Sequence, residues 1–252
     1  MHYRFVAVLL ALAGILTGCL PASDPSRPIP TLLVPAKQAA TRLVVVLPGR
    51  ADDLKALRRS GIAEAIQAAW PDADVLLAEV TMGYYREGRA PERLHDEVIA
   101  PARARGGYRD VWLGGASMGG MGTLMYDQRY PGEMDGLVLL APYLGEAPLL
   151  RDIEDAGGLA RWDAGPPQAM NPDNWQRELW RHIQRWSQHP EEARRVWLAY
   201  GDRDRLRASM PMLAGTLPQD QVLMRKGGHT WTVWSPAMGE VLQTAAQKRM
   251  AP

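Results

Sequence analysis

Gly115-Ala116-Ser117-Met118-Gly119 decides the reading of this chain. It follows a short apolar run, Val111-Trp112-Leu113-Gly114, and precedes a helical pattern carrying Leu124, Met125 and Tyr126. A serine between a strand and a helix, with a glycine two residues to either side, fits a sharp turn that lifts its hydroxyl off a sheet. The glycines are needed because a Cβ at either position would meet the backbone of the neighbouring strand or helix. The helix starting at Met118 then directs unbonded N–H groups toward the serine, where negative charge would develop. The five-residue pattern is too short to carry weight alone; its place between strand and helix gives it weight.

A base must take the serine proton, and it is expected after the last strand. His2 lies in an N-terminal segment expected to be removed, and His95 lies in a helical run, 91–105. His182 and His189 fall in a Trp-rich stretch that reads as an insertion. His229 alone follows an apolar strand, Gln221-Val222-Leu223-Met224, on a glycine hinge, Gly227-Gly228. Glycines there let a loop fold the imidazole back over the sheet. An acid must hold the base. Arg195-Val196-Trp197-Leu198-Ala199-Tyr200 reads as a buried strand that ends in Gly201-Asp202-Arg203-Asp204. A carboxylate there accepts the second imidazole N–H, fixes its tautomer and stabilises the imidazolium. Asp202 and Asp204 both qualify; Asp202, next to the glycine, is the better placed to accept loop N–H bonds.

The order serine, aspartate, histidine, each after a strand, resembles the α/β-hydrolase superfamily over roughly residues 41–248. The resemblance implies Ser117 as nucleophile and His229 as base. The superfamily's usual Gly-x-x-Asp, counted from Gly201, implies Asp204 as the acid. It also implies an oxyanion hole built from the N–H of Met118 and an N–H in the loop after an early strand. That strand is Leu43-Val44-Val45-Val46-Leu47, and the loop is Pro48-Gly49-Arg50-Ala51. Where the superfamily often has His-Gly, this chain has Pro48-Gly49, so the second donor is expected at Arg50.

The pattern of the whole chain agrees. Apolar runs at 43–47, 74–80, 111–115, 136–141, 196–200 and 221–225 are mostly continuous, as in strands buried on both faces. Helical patterns at 52–69, 91–105, 118–129 and 231–248 separate most of them. The expected fold is α/β, a mostly parallel central sheet with helices on both faces, its site at the carboxyl ends of the strands. One segment breaks the alternation, a helical cap insertion expected at about 143–194. Asn171-Pro172 reads as a helix start there, with Trp175, Leu179, Ile183 and Trp186 on one face. Trp175, Tyr84, Tyr85 and Trp231 are candidate substrate-contact residues.

Residues 1–18 read as a secretory signal: Arg4, then Phe5 to Ile15 almost wholly apolar and too short to span a bilayer. Leu16-Thr17-Gly18-Cys19 resembles the bacterial lipobox, which implies cleavage before Cys19, lipidation of its thiol and attachment to a membrane. Leu20 in place of aspartate favours, by the same resemblance, the outer membrane facing the periplasm. Pro21, Pro25, Pro28 and Pro30 make residues 19–40 an expected tether to a domain spanning 41–252.

Cys19 is the one cysteine, so no disulfide forms within the chain. Without residues 1–18 the balance loses only Arg4 of its 29 basic residues, leaving 28 against 28 acidic. That balance points away from a nucleic-acid partner, and no Cys/His cluster suggests a metal; no cofactor is expected. The expected activity is hydrolysis of a small-molecule carboxylic ester or thioester through an acyl-enzyme. The alternatives are acyl transfer or peptide cleavage on the same triad, or a non-catalytic envelope lipoprotein that keeps a hydrolase-like fold.

Overall fold

The computed structural model describes residues 24–250. Seven strands form one sheet in the order β1-β3-β2-β4-β5-β6-β7. They are β1 (Thr31–Val34), β2 (Arg42–Leu47), β3 (Ala73–Ala78), β4 (Asp110–Ala116), β5 (Gly136–Leu140), β6 (Val196–Gly201) and β7 (Val222–Arg225). All neighbours pair parallel except β1, which runs antiparallel on β3. Helices α1 (Leu54–Arg59) and α2 (Ile62–Ala69) follow β2. After β3 come α3 (Met82–Arg86), α4 (Ala90–Leu94), a π-helical turn His95–Ile99 and α5 (Ala100–Gly106). Helix α6 (Met118–Arg129) follows β4, and α7 (Ala147–Asp155), α8 (Trp175–Gln188) and α9 (Pro190–Ala193) separate β5 from β6. Helix α10 (Met210–Ala214) precedes β7, and α11 (Trp231–Met250) follows it.

The continuous apolar runs fill two cores by strict alternation. Leu43, Val45 and Leu47 of β2 enter one core, and Val44 and Val46 enter the other. Leu113, Leu137, Leu139 and Leu198 share the first, while Trp112, Val138, Leu140 and Trp197 share the second. Successive residues of a strand face opposite ways, so a run with no polar member requires cover on both sides. Helices α1, α2 and α11 cover the second core; α6, α8 and the segment around α4 cover the first.

The structure differs from the sequence reading in four places. Residues expected to belong to the tether already join the body: Ile29 is buried in the first core and β1 extends the sheet. Strand β1 is short and largely exposed, so it carries no alternation to read. The helix expected over 52–69 is two helices, broken where Gly61 takes a left-handed φ of 78°. Helix α8 starts at Trp175, not at Asn171. The Asn171 side chain instead accepts from the N–H groups of Asp173 and Asn174, holding a turn before the helix. Finally, the insertion between β5 and β6 packs its aromatic mass into the body. Trp162, Trp180 and Trp186 are core residues, and the Trp180 indole donates to the Leu144 carbonyl at 2.8 Å.

A buried ion cluster ties this insertion down. Asp127 of α6 is fully buried and accepts from His182 Nε2 on α8 and from Arg195 Nη2 before β6, each at 2.9 Å. Burial raises the cost of its charge, but the bonds from His182 and Arg195 outweigh this and hold its carboxyl below the usual carboxylate range. A carboxylate with a depressed folded pKa contributes stability that is present above its unfolded value and lost as pH falls through the folded one. Asp127→Asn is expected to cost about 3 kcal/mol, because it leaves the partly buried Arg195 guanidinium uncompensated. Urea unfolding at neutral pH measures this, and a loss within error of zero would show the cluster is not what holds α8 to α6.

Candidate active site

Ser117 is built by backbone packing. It sits between β4 and α6 with φ 55° and ψ −112°, outside the regions favoured by L residues. A Cβ on Gly115 would come within 2.4 Å of the Gly119 carbonyl, and one on Gly119 within 2.5 Å of the Leu47 carbonyl. The helix therefore starts directly against the strand ends, and the residue between must turn sharply. Such a conformation costs of order 1–3 kcal/mol and persists only when its surroundings impose it. Here Ser117 N–H donates to the Leu140 carbonyl at 2.8 Å, and its own carbonyl accepts from Met121 and Tyr143 N–H at 3.1 and 2.9 Å.

His229 is held by two loops that interlock. The Gly227 carbonyl lies 2.3 Å from where a Gly201 Cβ would be and accepts the Arg203 N–H at 2.9 Å. The Gly227 N–H donates to Asp202 Oδ1 at 2.8 Å. His229 Nδ1 meets Asp204 Oδ1 and Oδ2 at 2.8 and 2.9 Å. Asp204 is fully buried, and its Oδ1 also accepts from Leu206 N–H at 2.8 Å. The two carboxylates left open by the sequence thus have different neighbours: Asp204 pairs with the imidazole, and Asp202 fastens the loop that carries it. The imidazole packs edge-on against Trp234 with ring centroids 4.6 Å apart. Its Nε2 is buried and has no hydrogen-bond partner among the described residues, so no bond to Ser117 Oγ is formed in this structure. Catalytic hydrogen bonds of this kind often tighten only when substrate is in place.

The turn after β2 lies alongside. Asp52 Oδ2 accepts from Gly49 N–H at 3.1 Å and from the Trp231 indole at 2.9 Å. The Gly49 N–H is thereby occupied, while the Arg50 N–H has no acceptor among the described residues. Met118, as the first helical residue, has no intrahelical acceptor for its N–H. Ser117, Met118 and Arg50 line one cavity of about 1070 Å³, large enough for a small organic substrate.

That cavity sorts the candidate contact residues. Tyr85 and Trp175 line it; Tyr84 and Trp231 do not. Tyr84 is buried under the Arg93 guanidinium, 4.7 Å from its ring, and Trp231 is the brace on Asp52. Tyr143 also lines the cavity, its hydroxyl pushed up to about 12 by burial and by its bond to Glu146. Sequence reasoning missed Asp52, which has no signal beyond its spacing from Gly49. It also missed the row Met118, Met121, Met125, which was readable as a stripe at helical spacing. Cys19 lies outside the described residues. Among those residues, no group of three or more His, Cys, Asp or Glu side chains is arranged to hold a metal ion.

Comparison with known proteins places the fold. The chain superposes on MGS-MChE2, an α/β hydrolase enzyme from the metagenome of lagoon sediments at Mar Chica, Morocco. The TM-score is 0.56 and the identity 16%, over 90% of this chain and 98% of that one. The chain has the α/β-hydrolase fold. It is similar in the same way to Est1E from Butyrivibrio proteoclasticus, with TM-score 0.56, 15% identity and coverage of 88% and 94%. A monoacylglycerol lipase from Paleococcus ferrophilus gives TM-score 0.54 and 16% identity over 86% and 99%. A family model described as serine aminopeptidase, S33, matches residues 95–167, the stretch containing the serine turn. No curated protein matches the chain.

Gly119→Ala tests the packing origin of the turn. The added methyl would meet two backbone carbonyls, Leu47 at 2.5 Å and Pro48 at 2.6 Å, neither of which can swing away. The variant is expected to lose several degrees of melting temperature or fail to fold. A variant with unchanged melting temperature would show that Gly119 does not set the helix position.

Proposed function

We propose that this protein is a serine hydrolase that cleaves carboxylic ester or thioester bonds through an acyl-enzyme intermediate. The observation that carries the reading is the pairing of His229 with buried Asp204 in the loops after β7 and β6, at the same edge of the sheet as a strained Ser117 that follows β4 and opens on a large cavity. Asp204 fixes the proton on Nδ1, which leaves Nε2 as the basic nitrogen. Ser117 Oγ attacks the substrate carbonyl while Nε2 takes its proton. The Met118 and Arg50 amides stabilise the resulting oxyanion, at the positive end of α6. The imidazolium then protonates the leaving group. Water, deprotonated by Nε2, attacks the acyl-serine and releases the acid.

The match of residues 95–167 to the aminopeptidase model favours a second reading, peptide cleavage on the same residues. An aminopeptidase must bind a substrate ammonium. The two carboxylates lining the cavity are engaged already, Glu92 by Arg129 and Glu146 by Tyr143, and four arginines line the same cavity. Ester cleavage is therefore the preferred reading.

With p-nitrophenyl acyl esters, Ser117→Ala and Asp204→Asn are each expected to lower kcat/KM by about 10⁴-fold, the second because it favours the wrong imidazole tautomer. Asp202→Asn should instead cost mainly stability, about 1 kcal/mol from the weakened bond to Gly227. Wild-type turnover in Ser117→Ala would refute the nucleophile, and an inactive Asp202→Asn beside an active Asp204→Asn would move the acid.

We also propose that the enzyme works at the bacterial cell envelope, anchored through lipid on Cys19, with the outer membrane facing the periplasm preferred. The lipobox-like Leu16-Thr17-Gly18-Cys19 supports this. Cys19→Ser should move the protein from membrane to soluble or precursor fractions of the expressing bacterium. Unchanged processing and unchanged membrane association would refute the anchor.

A further inference from the structure

Four arginines line the cavity, and three of them have no carboxylate partner among the described residues. Arg50 lies on the turn after β2, Arg205 directly follows Asp204 after β6, and Arg86 ends α3. Arg129 alone is paired, with Glu92 at 2.8 Å. Glu146, the other lining acid, accepts the Tyr143 hydroxyl. Four guanidinium groups against two carboxylates leave the lining at +2, more than the formal +1 of the whole chain. Charge of one sign in a cleft with apolar walls concentrates ligands of the opposite sign.

The position of two of these arginines matters. In the sheet, β2 and β6 lie on opposite sides of β4, whose end carries Ser117. Arg50 and Arg205 therefore reach the one cavity from loops on either side of the strand that carries the serine. The rest of the lining is apolar in a directed way. Met118, Met121 and Met125 share a face of α6, with Gln128 and Arg129 beyond them. From Ser117 to Met125 the row runs roughly 12 Å at 1.5 Å per residue. Met82 and Met170 line the same space. Methionine side chains adapt to an unbranched aliphatic chain.

We propose that the substrate is an anionic amphiphile: an ester whose aliphatic chain lies along the methionine row. Its carboxylate or phosphate group is held by Arg50 and Arg205 beside the bond to be cut. The proposal rests on the hydrolase reading for its chemistry, but its test is a binding measurement that needs no turnover.

The Ser117→Ala protein is titrated calorimetrically with octyl phosphate, octanoate and neutral 1-octanol, at about 50 mM salt, where charge interactions are weakly screened. At least one anion is expected to bind about tenfold or more tightly than the alcohol, as charge-assisted hydrogen bonds to a guanidinium imply. Which anion is favoured distinguishes phosphate from carboxylate recognition. The preference should shrink as salt is raised, and it should largely vanish when Arg50→Gln and Arg205→Gln are added. Equal affinities for all three ligands, or a preference untouched by the two substitutions, would overturn the proposal. An anion preference in a protein whose wild type hydrolyses no ester would support this site and refute the hydrolase reading.

Discussion

The site depends on the contact of Gly119 with the carbonyls of Leu47 and Pro48. A helix can begin that close to two strand ends only if its second residue has no side chain. Once α6 is seated there, the residue joining it to β4 has almost no conformational choice. Ser117 takes a φ of 55° and ψ of −112°, and three backbone hydrogen bonds to β5, α6 and the loop after β5 hold it there. The same seating brings the start of α6, with its unbonded N–H groups, to the turn that carries Arg50. One packing constraint thus sets both the serine and the amides around it.

The second half of the site is built differently, by polar interlocking of loops. Asp202 binds the Gly227 amide, Gly227 binds the Arg203 amide, and Asp204 receives the imidazole. Neither loop has a core of its own. Each is ordered by the other, and the small Gly201–Gly227 contact sets how close they come. The braces behind the site follow the same logic: Trp231 joins the last helix to Asp52, and Asp52 closes the turn after β2. Buried hydrogen bonds of this kind rigidify the loops, while His229 Nε2 is left without a partner among the described residues.

Much of this was legible in the sequence because it rests on local chemistry. The strands announced themselves as mostly continuous apolar runs, and the two interleaved cores explain why so little polar interruption was needed. The serine turn was legible from its glycines, and the His229 loop from Gly227-Gly228. Asp202 and Asp204 were separable only in part, since two carboxylates two residues apart diverge through three-dimensional bends. Trp231 was misread as a contact residue because its partner, Asp52, is 179 residues away. Strand β1 was missed because four edge residues, three of them exposed, make no pattern, and the tryptophans of the insertion read equally well as pocket or as core. The buried Asp127 gave no signal, since its partners come from an insertion and a strand entrance far along the chain.

The central claim is that Ser117 is a nucleophile activated by His229. The most direct measurement is reaction of the folded protein with a fluorophosphonate, followed by digestion and mass spectrometric location of the adduct. The account predicts a single covalent phosphonyl group on the peptide containing Ser117, and its loss when the protein is unfolded beforehand or when His229 is replaced by alanine. No adduct on the folded wild-type protein, or an adduct on another residue, would contradict it.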